Sequence, residues 1–98
     1  MRDKAVIKLE MKAIERLNKM SAAEESDVRF THYPRMMIYR VEVSGSACGQ
    51  SLWPTVYDAV NSLAKRYEEY PKHSLKPFSC LKSESLPELM MKIDLLDM

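Results

Sequence analysis

Apolar residues recur at helical spacing through residues 3–20, at Val6, Leu9, Ala13, Leu17 and Met20, widened by Ile7 and Ile14, and neither proline nor glycine interrupts them. This predicts a first helix that ends within residues 21–26, where small and acidic side chains break the stripe. The alanines and glutamates there can prolong it by a turn. The period then changes. Residues 28–33 and 36–43 are rich in β-branched and aromatic side chains, and the second run sets Met37, Tyr39, Val41 and Val43 on one face with Arg40 and Glu42 opposite. Pro34 and Arg35 between them predict a tight antiparallel hairpin.

Residues 44–51 hold both glycines of the chain, and Leu52 with Trp53 reads as a short third strand before a second helix. Thr55 and Asp58 have the spacing at which a hydroxyl and a carboxylate accept from the unpaired amides of a first turn. Val56, Ala59, Val60, Leu63, Tyr67 and Tyr70 continue as a helical stripe until Pro71 stops it. Trp53 is expected to plug the core, its indole N–H meeting a carbonyl or solvent. Residues 72–77 read as a basic connector and 78–82 as a final short strand. Ser85 and Glu88 repeat the capping spacing, with Pro87 in the first turn where its missing N–H costs least, so a third helix starts near Leu86. The expected fold is α+β: a small antiparallel sheet of three to four strands with three helices packed mainly on one face. Strands followed by a packed helix across residues 28–70 resemble the sheet-reading DNA-binding domains of AP2 type, in order of elements alone.

At 98 residues and 46% hydrophobic content the chain can build one core, so residues 1–98 are expected to form a single domain. Fifteen basic against 14 acidic residues leave a net charge of +1, which excludes a whole-molecule electrostatic argument for nucleic acid, membrane or acidic substrate. Cys48 and Cys80 lack paired spacing and read as reduced thiols. With charges from the first residues onward and no membrane-spanning run, they give the cytoplasm as the expected location. Eight methionines are an unusual number beside two glycines. Met11, Met20, Met36, Met37, Met90 and Met91 fall in periodic segments, where filling a core is their expected role.

Residues 45–51 invite a phosphate-loop reading, but such a loop spaces its glycines one residue wider and follows the second with lysine, where this chain has Gln50. Cys48, ahead of a helix N-terminus, is the candidate nucleophile for thiol chemistry, which would need His32 or His73 as base. Cys48, Cys80, His32 and His73 are dispersed, unlike the close pairs of structural zinc sites. No catalytic residue, metal or cofactor is therefore assigned, and the chain is not expected to be an enzyme.

Surfaces are more informative. Lys4, Lys8, Lys12, Arg16 and Lys19 form a basic flank on the first helix, and Lys72, His73, Lys76 and Lys82 form a second cluster near Tyr67, Tyr70 and Phe78. Lys8, Lys12, Arg16, Lys19, Lys72 and Lys76 are the nucleic-acid candidates, provided the clusters meet. Glu84, Glu88, Asp94 and Asp97 oppose Lys92 alone in the third helix region, so the basic first helix can face an acidic third one, within a subunit or across a dimer. The third helix also carries more apolar residues than one core covers. Leu89, Met90, Met91, Leu95 and Met98 are the candidate interface. The preferred expectation is a non-enzymatic interaction or regulatory domain, homo-oligomeric or bound to a protein partner through this helix, with nucleic-acid binding as the alternative and a Cys48 thiol enzyme third.

Overall fold

The computed structural model describes residues 3–33, 35, 36, 38–43 and 52–96. They form, in chain order, α1 (Lys4–Ala23), β1 (Val28–Tyr33), β2 (Ile38–Val43), β3 (Leu52–Trp53), α2 (Val56–Glu69), a 3₁₀ helix (His73–Phe78) and α3 (Leu86–Leu96). This is the expected α+β architecture, with an antiparallel sheet in the order β1-β2-β3. Pro34, Met37, the loop at residues 44–51 with Cys48, and Met98 lie outside the described residues.

Strand register follows the alternation of side chains. Phe30 faces Val41 and Val28 faces Val43 on the buried face, while Arg29 faces Glu42 and Thr31 faces Arg40 on the other. The buried face joins Ala13, Ile14 and Leu17 of α1, Val56, Val60 and Leu63 of α2, and Leu89 and Ile93 of α3 in one core. Tyr39, fully buried, stacks on His32 with ring centroids 4.8 Å apart.

Helix ends match the capping chemistry. The Asp58 N–H donates to Thr55 Oγ1 at 3.1 Å, and the Thr55 hydroxyl donates to the Asp58 carboxylate at 2.8 Å. α1 gains the extra turn and starts on Asp3, whose Oδ1 accepts from the Ala5 N–H at 3.1 Å. Its last carbonyls are closed by Glu25, at φ 53°, and by the Ser26 N–H donating to the Ser21 carbonyl at 2.8 Å.

Two expectations change. β2 begins at Ile38 rather than Met36, because the Met36 N–H turns back to the Tyr33 carbonyl at 3.1 Å and leaves Met36 exposed in the turn. Residues 72–82 contain no strand: residues 73–78 coil instead into the 3₁₀ helix. Leu75 and Phe78, three residues apart, share one face of such a helix and both are fully buried, Phe78 meeting the Phe30 ring at 5.7 Å.

Side chains of α1 act as the missing neighbour of edge strand β1. Asn18 Nδ2 donates to the Phe30 carbonyl at 3.0 Å while its Oδ1 accepts from the Phe30 N–H at 2.9 Å. The Ser21 hydroxyl donates to the Val28 carbonyl at 2.6 Å. Replacing Asn18 by Ala strands both Phe30 groups, and we expect a loss of about 1–3 kcal/mol in urea unfolding followed by the fluorescence of Trp53. Lys12→Ala, on the exposed flank of the same helix, should stay within about 0.5 kcal/mol; equal effects at the two positions would contradict the clamp.

Candidate functional site

α3 begins on a capping box shifted by one residue. The Glu88 N–H donates to Ser85 Oγ at 3.3 Å, while Glu88 Oε2 accepts from the Glu84 N–H, one residue before the cap, at 3.0 Å. Lys92 holds the other carboxylate oxygen at 3.3 Å and donates to the Lys82 carbonyl. The approach to α3 is fixed by α2, where Asn61 Nδ2 donates to the Ser83 carbonyl at 2.6 Å and its Oδ1 accepts from the Ser83 N–H at 2.8 Å.

The interface candidates divide on this helix. Leu89 is fully buried in the core and Met90 packs partly against it, so Leu89 cannot meet a partner. Met91 and Leu95, four residues apart on one face, are 55% and 61% exposed, and Leu96 beside them is 47% exposed. Core filling by methionine does not hold for Met11, Met36 and Met91, all exposed; Met20 and Met90 are the partly buried ones.

The two basic clusters meet in part. The C-terminal half of α1 and the 3₁₀ helix wall a groove of about 730 Å³ whose lining brings together Arg16, Lys19, His73 and Lys76, with Glu24 its one carboxylate among the described residues. The walls are joined where Ser26, in the turn after α1, donates from its hydroxyl to the Ser74 carbonyl at 2.6 Å. Met20 and Pro77 supply apolar floor, and Leu96 closes the end nearest α3. Arg16 pairs with Asp94 of α3, so the basic first helix meets the acidic third within one chain. Lys19 pairs with Glu15 one turn back at 3.5 Å. Lys8 and Lys12 are exposed farther up α1, and Lys72 is exposed just before the 3₁₀ helix; none of the three lines the groove.

Aromatic stacking is not available there. Phe78 is in the core, Tyr67 packs against it, and Tyr70, though exposed, is not part of the lining. On the outer face of the sheet, Arg40 Nη1 donates to the Tyr33 hydroxyl at 3.5 Å and Arg40 Nε pairs with Glu42 at 3.4 Å; the Tyr33 hydrogen bond first, then the Glu42 charge, push its pKa up. That arginine is committed within its own sheet.

Of the titratable residues considered for chemistry, His32 stacks on the sheet and His73 lies in the groove. Cys80, expected to be a reduced thiol and weighed as a dispersed zinc ligand, shares that groove and donates to the Pro77 carbonyl at 3.7 Å. Among the described residues no group of three or more His, Cys, Asp and Glu side chains could hold a metal ion. Trp53 packs against the core, but its buried indole N–H finds no acceptor among the described residues, contrary to expectation. No described helix is long and apolar enough to cross a membrane. No protein-family model, curated protein or solved structure matches this chain.

Accepting the Glu84 N–H, and then pairing with Lys92, holds the Glu88 carboxyl below the ordinary glutamate range. A depressed folded-state pKa means that this contribution to stability is full above the unfolded value and is lost as pH falls through the folded one. The Glu88 carboxyl should therefore titrate, by carbon-detected NMR, below the roughly 4.3 of an unperturbed glutamate. The stability gap between wild type and Glu88→Gln should narrow as the solution is acidified.

Proposed function

We propose that this chain is a small non-enzymatic interaction domain that pairs with a second copy of itself through the outer face of α3. The supporting observation is the division of that helix: Leu86, Leu89 and Ile93 satisfy the core, while Met91 and Leu95 present large apolar side chains to solvent one turn apart. Burying each of these half-exposed side chains is worth about 1–2 kcal/mol. Methionine adapts to whatever surface it meets. The free, exposed Cys80 fits a reducing compartment, and a cytoplasmic location belongs to this reading.

Nucleic-acid binding is the second reading, favoured by one observation, the convergence of Arg16 and Lys19 with His73 and Lys76. It ranks lower because Arg16 is paired with Asp94, Glu24 shares the lining and no aromatic ring offers a stacking platform. It predicts oligonucleotide binding that weakens steeply with salt and with Lys72→Ala and Lys76→Ala. The third reading, a thiol enzyme using Cys48, rests on a residue outside the described ones.

Size-exclusion chromatography with light scattering tests the first reading. Wild type should show twice the 11.4 kDa chain mass at micromolar or higher concentration, and Met91→Lys with Leu95→Lys should return it to the monomer with an unchanged far-UV circular dichroism spectrum. A wild type that stays monomeric at roughly 1 mM would sink it.

A further inference from the structure

Met91 and Leu95 alone are a small interface. A stable pair of proteins buries about 800 Å² on each partner, and association first has to overcome the loss of rotational and translational freedom. The surface that meets α3 must therefore extend beyond a second copy of the same two side chains. We infer that it is the groove between α1 and the 3₁₀ helix: each copy lays the outer face of its α3 into the groove of the other, closing a two-fold dimer through two equivalent groove–helix contacts. This rests on the proposed function above and names the surface that receives the helix.

Charge is the first argument. With Arg16 and Asp94 already paired inside one chain, Lys19 and Lys76 outnumber Glu24 among the described residues of the groove, while Glu84 and Glu88 outnumber Lys92 on α3 and the turn before it. The two surfaces are opposite in sign, which orients an encounter and rejects the wrong register. The Arg16–Asp94 pair shows the same match already made within one chain, at the boundary between the two surfaces.

Apolar content agrees. Met20, Pro77 and Leu96 give Met91 and Leu95 of the other copy an apolar floor between the cationic heads. Closure is the last requirement. A self-complementary dimer needs both surfaces side by side on each copy, and Leu96 belongs to both the groove and α3.

Charge exchange tests the arrangement with substitutions at exposed positions only. Lys19→Glu with Lys76→Glu turns the groove acidic, and Met91→Lys with Leu95→Lys turns the helix face basic. Each double variant, folded by circular dichroism, should self-associate about 100-fold more weakly than wild type in sedimentation equilibrium. An equimolar mixture should recover a heterodimer, since one contact is then wild type on both sides and the other joins basic helix to acidic groove. A groove variant that remains dimeric while the helix variant is monomeric would overturn the groove and leave the α3 interface standing. Two monomeric variants that fail to recover on mixing would overturn the reciprocal contact. Monomeric wild type whose groove binds a single-stranded oligonucleotide at low salt would overturn both.

Discussion

The side-chain amides of Asn18 and Asn61 each close a pair of backbone groups that no strand or helix serves, and they fix how α1 meets the sheet edge and where α3 begins. Asn18 pairs with both polar groups of Phe30 on edge strand β1, and Asn61 does the same for Ser83 in the irregular stretch before α3. Each clamp meets an obligation that would otherwise fall to water or remain unmet, at a cost near that of a lost hydrogen bond per group. α1 is thereby laid along the sheet edge with its basic flank outward, and α3 is held at its start by α2. The two helices then meet through Arg16 and Asp94, and the groove opens between the end of α1 and the 3₁₀ helix.

The core locks this arrangement. Tyr39, Phe78, Leu17, Leu75, Leu81 and Leu89 are all fully buried, and they come from β2, α1, α3 and the 3₁₀ segment with its exit. α1, α3 and the 3₁₀ segment with its exit therefore each send fully buried side chains into one core, so no one of them can shift without opening a void. What the packing leaves over is the outer face of α3, because an 11-residue helix with apolar residues on several sides has only one side to give to the core.

Much of this was readable from periodicity. The helices, the Thr55 cap, the β2 alternation and the apolar excess of α3 are local patterns, and local patterns are what a sequence displays. The 3₁₀ helix was not legible, since Leu75 and Phe78 give a period of three only two members, too few to distinguish from a strand. Met36 was misplaced because a methionine at the edge of an apolar run looks like the run's first residue. The clamps left a weaker trace: an asparagine in mid-helix beside a core position, as at Leu17-Asn18 and Val60-Asn61, lowers helix propensity, and here each serves a backbone partner distant in sequence. The groove showed in the sequence only as two separate basic clusters; that they meet had no local signature, since the lining is assembled from residues 16–24, 73–80 and 96.

One surface is held to do two jobs here, α3 inserting and the α1 groove receiving. Amide chemical shifts of isotopically labelled protein, followed on dilution, report directly where copies touch. Concentration-dependent changes should cluster at Met91, Leu95 and Asp94 together with Lys19, His73 and Lys76, and leave Arg29 and Thr31 on the outer sheet face unmoved. Changes centred on that sheet face, or shifts independent of concentration, would contradict the assignment.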